Sequence, residues 1–141
     1  MKTHTLYDNQ GKVMAVVTSS DDEIPTLDQF FIIEGALDYN QYVKDGQIKT
    51  QGADPSNGMI KYKFNHASES WTIDHAATQK NCRDFRNQLL ATVDKINGVW
   101  YANLTAEQQQ ELSAYRQALL DVPQQAGFPT DTSWPPKPEW L

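Results

Sequence analysis

The spacing of apolar positions changes near residue 76. Before that point they alternate or gather in short β-branched runs, and after it they recur every three or four residues, so strands are expected first and helices second. In "HTLYDNQGKVMAVVTS", Leu6 and Tyr7 precede the polar turn Asp8-Asn9-Gln10-Gly11, and Val13, Val16 and Val17 follow it, which predicts a hairpin. "YVKDGQIK" predicts another. Asp45-Gly46 accepts the positive φ of a type I′ turn, with Tyr42 and Val43 before it and Ile48 after it. Between the two, "FFIIEG" (Phe30 to Gly35) has the length and β-branched content of a strand and is expected at the centre of the sheet. "MIKYKFNHASESWTID" sets Ile60, Tyr62 and Phe64 against Lys61 and Lys63, then returns through Trp71 and Ile73 as a further hairpin with Trp71 facing inward. The polar stretch "QGADPSNG" ahead of it reads as a surface loop.

From about Ala77, Cys82, Phe85, Leu89, Val93 and Ile96 lie at helical spacing, and Asn97-Gly98 is expected to end this helix in a left-handed turn. Thr105 with Gln108 forms a capping-box pattern, after which Leu112, Tyr115, Leu119 and Val122 share one face until Pro123. The short link "NGVWYANL" predicts an antiparallel helical hairpin, with Val99, Trp100 and Tyr101 closing one end of its seam. The expected seam residues are Phe85, Leu89, Val93, Leu112, Tyr115 and Leu119. Beyond Pro123, prolines and large rings alternate through Phe128, Trp134, Pro135, Pro136 and Trp140. Such a segment cannot continue a helix, and its rings need a surface, either the protein's own helices or another polypeptide. Trp71 and Trp100 read as core, whereas Trp134 and Trp140 fit core and interface equally well. The fold class is α+β, with a small β domain over residues 1–76 and a helical hairpin with its Pro/Trp-rich tail over 77–141.

Composition narrows the function classes. Over 141 residues the net charge is −6 and basic residues are scattered, which argues against nucleic acid as a partner. No run has the length and apolarity of a membrane span or the layout of a signal peptide, so no membrane partner and synthesis in a reducing cytoplasm are expected. Cys82 has no internal partner and lies on the apolar helix stripe, where it packs as a small hydrophobe rather than acting as a nucleophile. His4, His66 and His75 form no metal-ligand spacing, although His66 and His75 with Asp74 can approach one another across a hairpin. The acidic run Asp21-Asp22-Glu23 lacks the alternating ligands of a calcium loop. Arg83, Arg86 and Arg116 can clamp an anion or simply solvate outer helix faces. No phosphate cradle, nucleophile elbow or paired-carboxylate motif is present, so no catalytic residue, metal or cofactor is expected.

One resemblance adds to this reading. Arg83, Arg86, Leu89 and Leu90, then Tyr115, Arg116, Ala118, Leu119 and Asp121, then Phe128, Pro129, Trp134 and Pro135 resemble three blocks of the phage tail assembly chaperone family, which includes tail-fibre assembly proteins. The likeness spans about Arg83 to Pro138. Leu120 replaces a frequent basic residue, and Thr92-Val93-Asp94 stands where Asp-Trp is usual. More loosely, "IIEG" with "YNQYVKDGQI" looks like a small β module of phage tail-associated proteins. The resemblance implies a non-enzymatic helper that binds a tail-fibre or tail protein during folding or assembly in the host cytoplasm. The alternative it implies is a permanent structural subunit of a tail, fibre or baseplate, retained in the virion. A homo-oligomer, trimeric if it matches a trimeric fibre, is compatible with either. Phe128, Trp134, Pro135, Pro136 and Trp140 are the expected partner-binding residues.

Overall fold

The computed structural model describes residues 1–20 and 28–141, so the acidic run Asp21-Asp22-Glu23 lies outside the described residues. The architecture is α+β: among the described residues, seven strands precede three helices. Two compact units are formed, Met1–Pro55 with Tyr62–Thr72, and Ser56–Lys61 with Ile73–Leu141.

In the first unit, β1 (Lys2–Tyr7) and β2 (Val13–Ser19) form the expected hairpin. The Asp8 carboxylate accepts from the backbone N–H groups of Gln10 and Lys12 (2.9 and 3.0 Å), tying down the turn, while Gly11 takes φ +86°. β3 (Phe31–Glu34) is an edge strand, contrary to the central place expected from its apolar run. The sheet order is β2-β1-β3, because β1 is the strand with a partner on both sides. Buried Thr5 anchors the chain leaving β3: its hydroxyl donates to the Gly35 carbonyl (2.8 Å) and accepts from the Leu37 N–H (3.0 Å). β4 (Gln41–Lys44) and β5 (Gln47–Thr50) pair around Asp45 (φ +51°) and Gly46 (φ +74°), as the turn chemistry predicts. β6 (Tyr62–Asn65) and β7 (Ser70–Ile73) pair as a third hairpin. Phe64 lies among the rings of Tyr42, His66 and Trp71 at 5.1–5.5 Å. Trp71 is half-buried, and its indole N–H donates to the Gly52 carbonyl (3.1 Å).

In the second unit, α1 (His75–Asp94) starts two residues before the periodicity suggests, because the Asp74 carboxylate caps the Ala77 N–H (3.1 Å). Fully buried Thr78 accepts from the Lys61 N–H (3.0 Å), and Asn81 donates to the Met59 carbonyl (3.2 Å), so 56–61 is fastened along α1. Asn97-Gly98 does not form a left-handed stop. Asn97 is extended and caps the Trp100 N–H (2.9 Å), opening a short α2 (Gly98–Ala102) inside the link. This turn of helix holds Val99, Trp100 and Tyr101 outward at 77%, 42% and 41% exposure, so they do not close the seam as expected. α3 (Ala106–Asp121) begins with the reciprocal capping box of Thr105 and Gln108. Its buried face, Leu112, Tyr115 and Leu119, meets Val93 of α1, and Val122 lies buried in the 3-10 turn that follows. Thr105→Ala removes one half of the capping box and should lower stability by about 1 kcal/mol, read as a lower urea midpoint with an unchanged slope.

Candidate partner-binding surface

After the 3-10 turn at Val122–Gln124, the chain folds back along the helices in an irregular path held by local polar bonds. The Gln125 side chain spans it: the amide nitrogen donates to the Ser133 carbonyl (2.7 Å), and the amide oxygen accepts from the Ser133 N–H (2.8 Å). Within that loop Asp131 N–H donates to the Gly127 carbonyl (2.7 Å), and the Thr132 hydroxyl donates to the Pro129 carbonyl (3.1 Å). Phe128-Pro129 is cis, and Pro129 is buried, its carbonyl 3.5 Å from the sulfur of fully buried Cys82. A thiol so enclosed acts as core.

The rings then touch the helices in sequence. Phe128 lies under the Arg83 guanidinium, 5.8 Å from ring centre to Cζ. Trp134 meets Phe85 edge to face at 4.8 Å and 86°. Trp140 donates its indole N–H to the Glu111 carboxylate (2.6 Å), lies 6.3 Å from Trp100, and packs with Leu141 against the seam cluster. Of the residues placed in the seam by spacing, Val93, Leu112, Tyr115 and Leu119 form the buried cluster and Leu89 packs on it. Phe85 instead stands 37% exposed and turned to Trp134, because it lies about one turn before Leu89, toward the start of α1. Trp100, read as core, is also outside the buried cluster. Burial raises the Tyr115 hydroxyl pKa above its ordinary value.

Of the expected partner-binding residues, Phe128, Trp134, Pro135 and Trp140 are half-buried and Pro136 is exposed. Pro135, Pro136 and Pro138 stand beside Ala114, Tyr115 and Ala118 of α3, leaving an open, mainly apolar groove of about 430 Å³. The small side chains of Ala114 and Ala118 leave the groove open on the helix side. The three arginines bind within the chain: Arg83 over Phe128, Arg86 to the Asn87 side chain (3.0 and 3.3 Å), and Arg116 to Asp94 across the helices (3.0 Å). The Arg116–Asp94 pair is solvated on both sides, so it adds little stability. Sequence reasoning did not find the Gln125 clamp or the Glu111 acceptor. A glutamine in a loop and a glutamate on an outer helix face carry no signal of their own.

Residues 79–139 match the phage tail assembly chaperone protein family. The match covers the segment that carries the three resembling blocks, from within α1 through the Pro/Trp tail. No curated protein and no solved structure matches the chain. A role in phage tail assembly follows, and it places the protein in the host cell while tails are built. No helix among the described residues is long and apolar enough to cross a membrane, and among them no group of three or more His, Cys, Asp or Glu is arranged to hold a metal ion.

The first unit has its own polar cluster. Glu69, at φ +52°, accepts from the Tyr42 hydroxyl (2.9 Å) and the Lys49 ammonium (2.8 Å), tying the β4–β5 hairpin to the turn between β6 and β7. The hydrogen bond from Lys49, then that from Tyr42, holds the Glu69 carboxyl below its usual range. Burial, then Glu69, raises the Tyr42 pKa. A carboxyl whose folded pKa lies below its unfolded one contributes stability that is complete above the unfolded value and is lost as pH falls through the folded one. Stability should therefore decline as pH drops below about 4.5, and Glu69→Gln should flatten that decline in melts recorded between neutral and acid pH.

Proposed function

We propose that this protein is a non-enzymatic assembly chaperone that binds a tail-fibre or tail protein while it folds or assembles, using the Pro/Trp surface of the second unit. The observation that carries this reading is that the family match ends on the ring-bearing segment whose side chains are only half-buried against their own helices. Assembling fibrous proteins expose apolar surface and unpaired strand edges, and a helper that covers such surface suppresses aggregation. The groove beside Ala114 and Ala118 and the outward Val99-Trp100-Tyr101 of α2 supply apolar area of the kind that receives a peptide segment. Aromatic residues of this sort dominate binding energy where they are desolvated by a partner.

The test is co-expression with the phage's tail-fibre protein followed by a pull-down. Trp134→Ala and Trp140→Ala should abolish co-purification while retaining a cooperative thermal melt. Because Trp140 also packs on the seam, Pro136→Asp probes the same surface from an exposed position. Capture that survives all three changes would overturn the assignment, and an unfolded tryptophan variant beside a fully active Pro136→Asp would return the rings to the core. A permanent structural subunit is the competing role, and a stoichiometric copy number in purified particles, measured by mass spectrometry, would favour it.

A further inference from the structure

We infer that the outer edge of β2 is a self-pairing site at which two copies of this chain join their sheets across a two-fold axis. The direction of the backbone groups follows from one bond. Gly35 N–H donates to the Thr3 carbonyl (2.8 Å), so Thr3, Thr5 and Tyr7 turn their backbone groups toward β3. Lys2, His4 and Leu6 therefore turn theirs toward β2, where they meet Ser19, Val17 and Ala15. Val16 and Thr18, lying between these, present N–H and C=O away from β1. No hydrogen bond among the described residues reaches those groups.

This edge is bounded. At one end a bulge between Ala15 and Val13 breaks the ladder. Just beyond it β4 already occupies the edge, through the Lys12–Tyr42 bridge and the bond from Val43 N–H to the Gly11 carbonyl (2.9 Å). Within the regular part of the ladder the outward-facing groups are thus those of Val16 and Thr18, and the residue between them is Val17. A two-fold axis through Val17 sets Val16 of each copy opposite Thr18 of the other. Each such pair exchanges two N–H···O bonds, and the strand of each copy ends before it would meet β4 of its neighbour.

Charge selects the occupant. Edges of monomers are commonly guarded by a lysine, a proline or an inward charge, and Val13–Ser19 holds none. A second copy sets uncharged, mainly β-branched side chains against each other, with no like charges opposed and no charge left without a partner. Val16 is 46% exposed in the single chain, so pairing also covers apolar surface. This inference is independent of the tail-assembly reading.

Sedimentation equilibrium of the full chain from about 1 μM to about 1 mM should show a monomer–dimer equilibrium. Val16→Pro removes an N–H that serves no β1 bond and should leave a monomer with the parent thermal melt, and Thr18→Pro should do the same. In the unaltered chain, amide exchange at Val16 and Thr18 should slow as concentration rises, while that at Val17 stays constant; this measurement does not depend on either variant folding. A monomer throughout that range, a trimer, or a dimer unaffected by both prolines would overturn the proposal. So would an edge protected only when the tail-fibre protein is present.

Discussion

Gly11→Ala should unfold the first unit or lower its stability on the order of 3 kcal/mol or more. Two separate costs fall on this position. Its φ of +86° lies where a side chain is strained, and a Cβ built there would come 1.7 Å from the Val43 carbonyl oxygen, which is backbone and cannot swing aside. Relief requires β4 to move away from the β1–β2 turn, breaking the bond from Val43 N–H to the Gly11 carbonyl. Tyr42 and Val43, both buried, would lose their place with it. The check is a denaturant titration followed by circular dichroism, with Gly46→Ala as comparison. Gly46 also has positive φ, but nothing lies within 4 Å of where its Cβ would stand, so it should show the backbone strain without the collision.

Leu119→Ala should cost the second unit about 2–5 kcal/mol. Leu119 is fully buried, in a cluster with Val93, Leu112 and Tyr115, and the half-buried Leu89 and Trp140 pack on that cluster. Truncation removes apolar contacts and leaves a void that neighbours on two rigid helices only partly refill. Chemical denaturation monitored by tryptophan fluorescence gives the loss directly. Leu119→Met, which keeps the volume, should cost less than about 1.5 kcal/mol.

These two positions also show what the sequence makes legible. Leu119 was readable because burial on a helix repeats every three or four residues, and Leu112, Tyr115 and Leu119 repeat with it. The capping box and both tight hairpin turns were readable for a similar reason, since each is a local contest decided by two to four neighbouring residues. The position of β3 was not, because an apolar run says that a strand is covered and leaves open whether by a neighbour strand or by side chains. The role of Asn97 is not legible in the sequence, because Asn-Gly serves as a helix stop and as a cap with equal ease, and the apolar character of Val-Trp-Tyr after it does not distinguish a buried turn from an outward one. Of the candidate surface, the ring residues stood out by type, but their helix contacts depend on a chain reversal set by the Gln125 clamp and the enclosed Pro129. Neither leaves a periodic mark.

The closeness of Trp100 and Trp140, 6.3 Å between ring centres with planes 38° apart, has an optical consequence. Two indoles at that separation and tilt couple their electronic transitions, so this end of the helical unit carries its own chromophore pair. Any polypeptide that settles over α2 or lifts the chain terminus changes the coupling, and docking becomes visible as a change in ultraviolet ellipticity without a label.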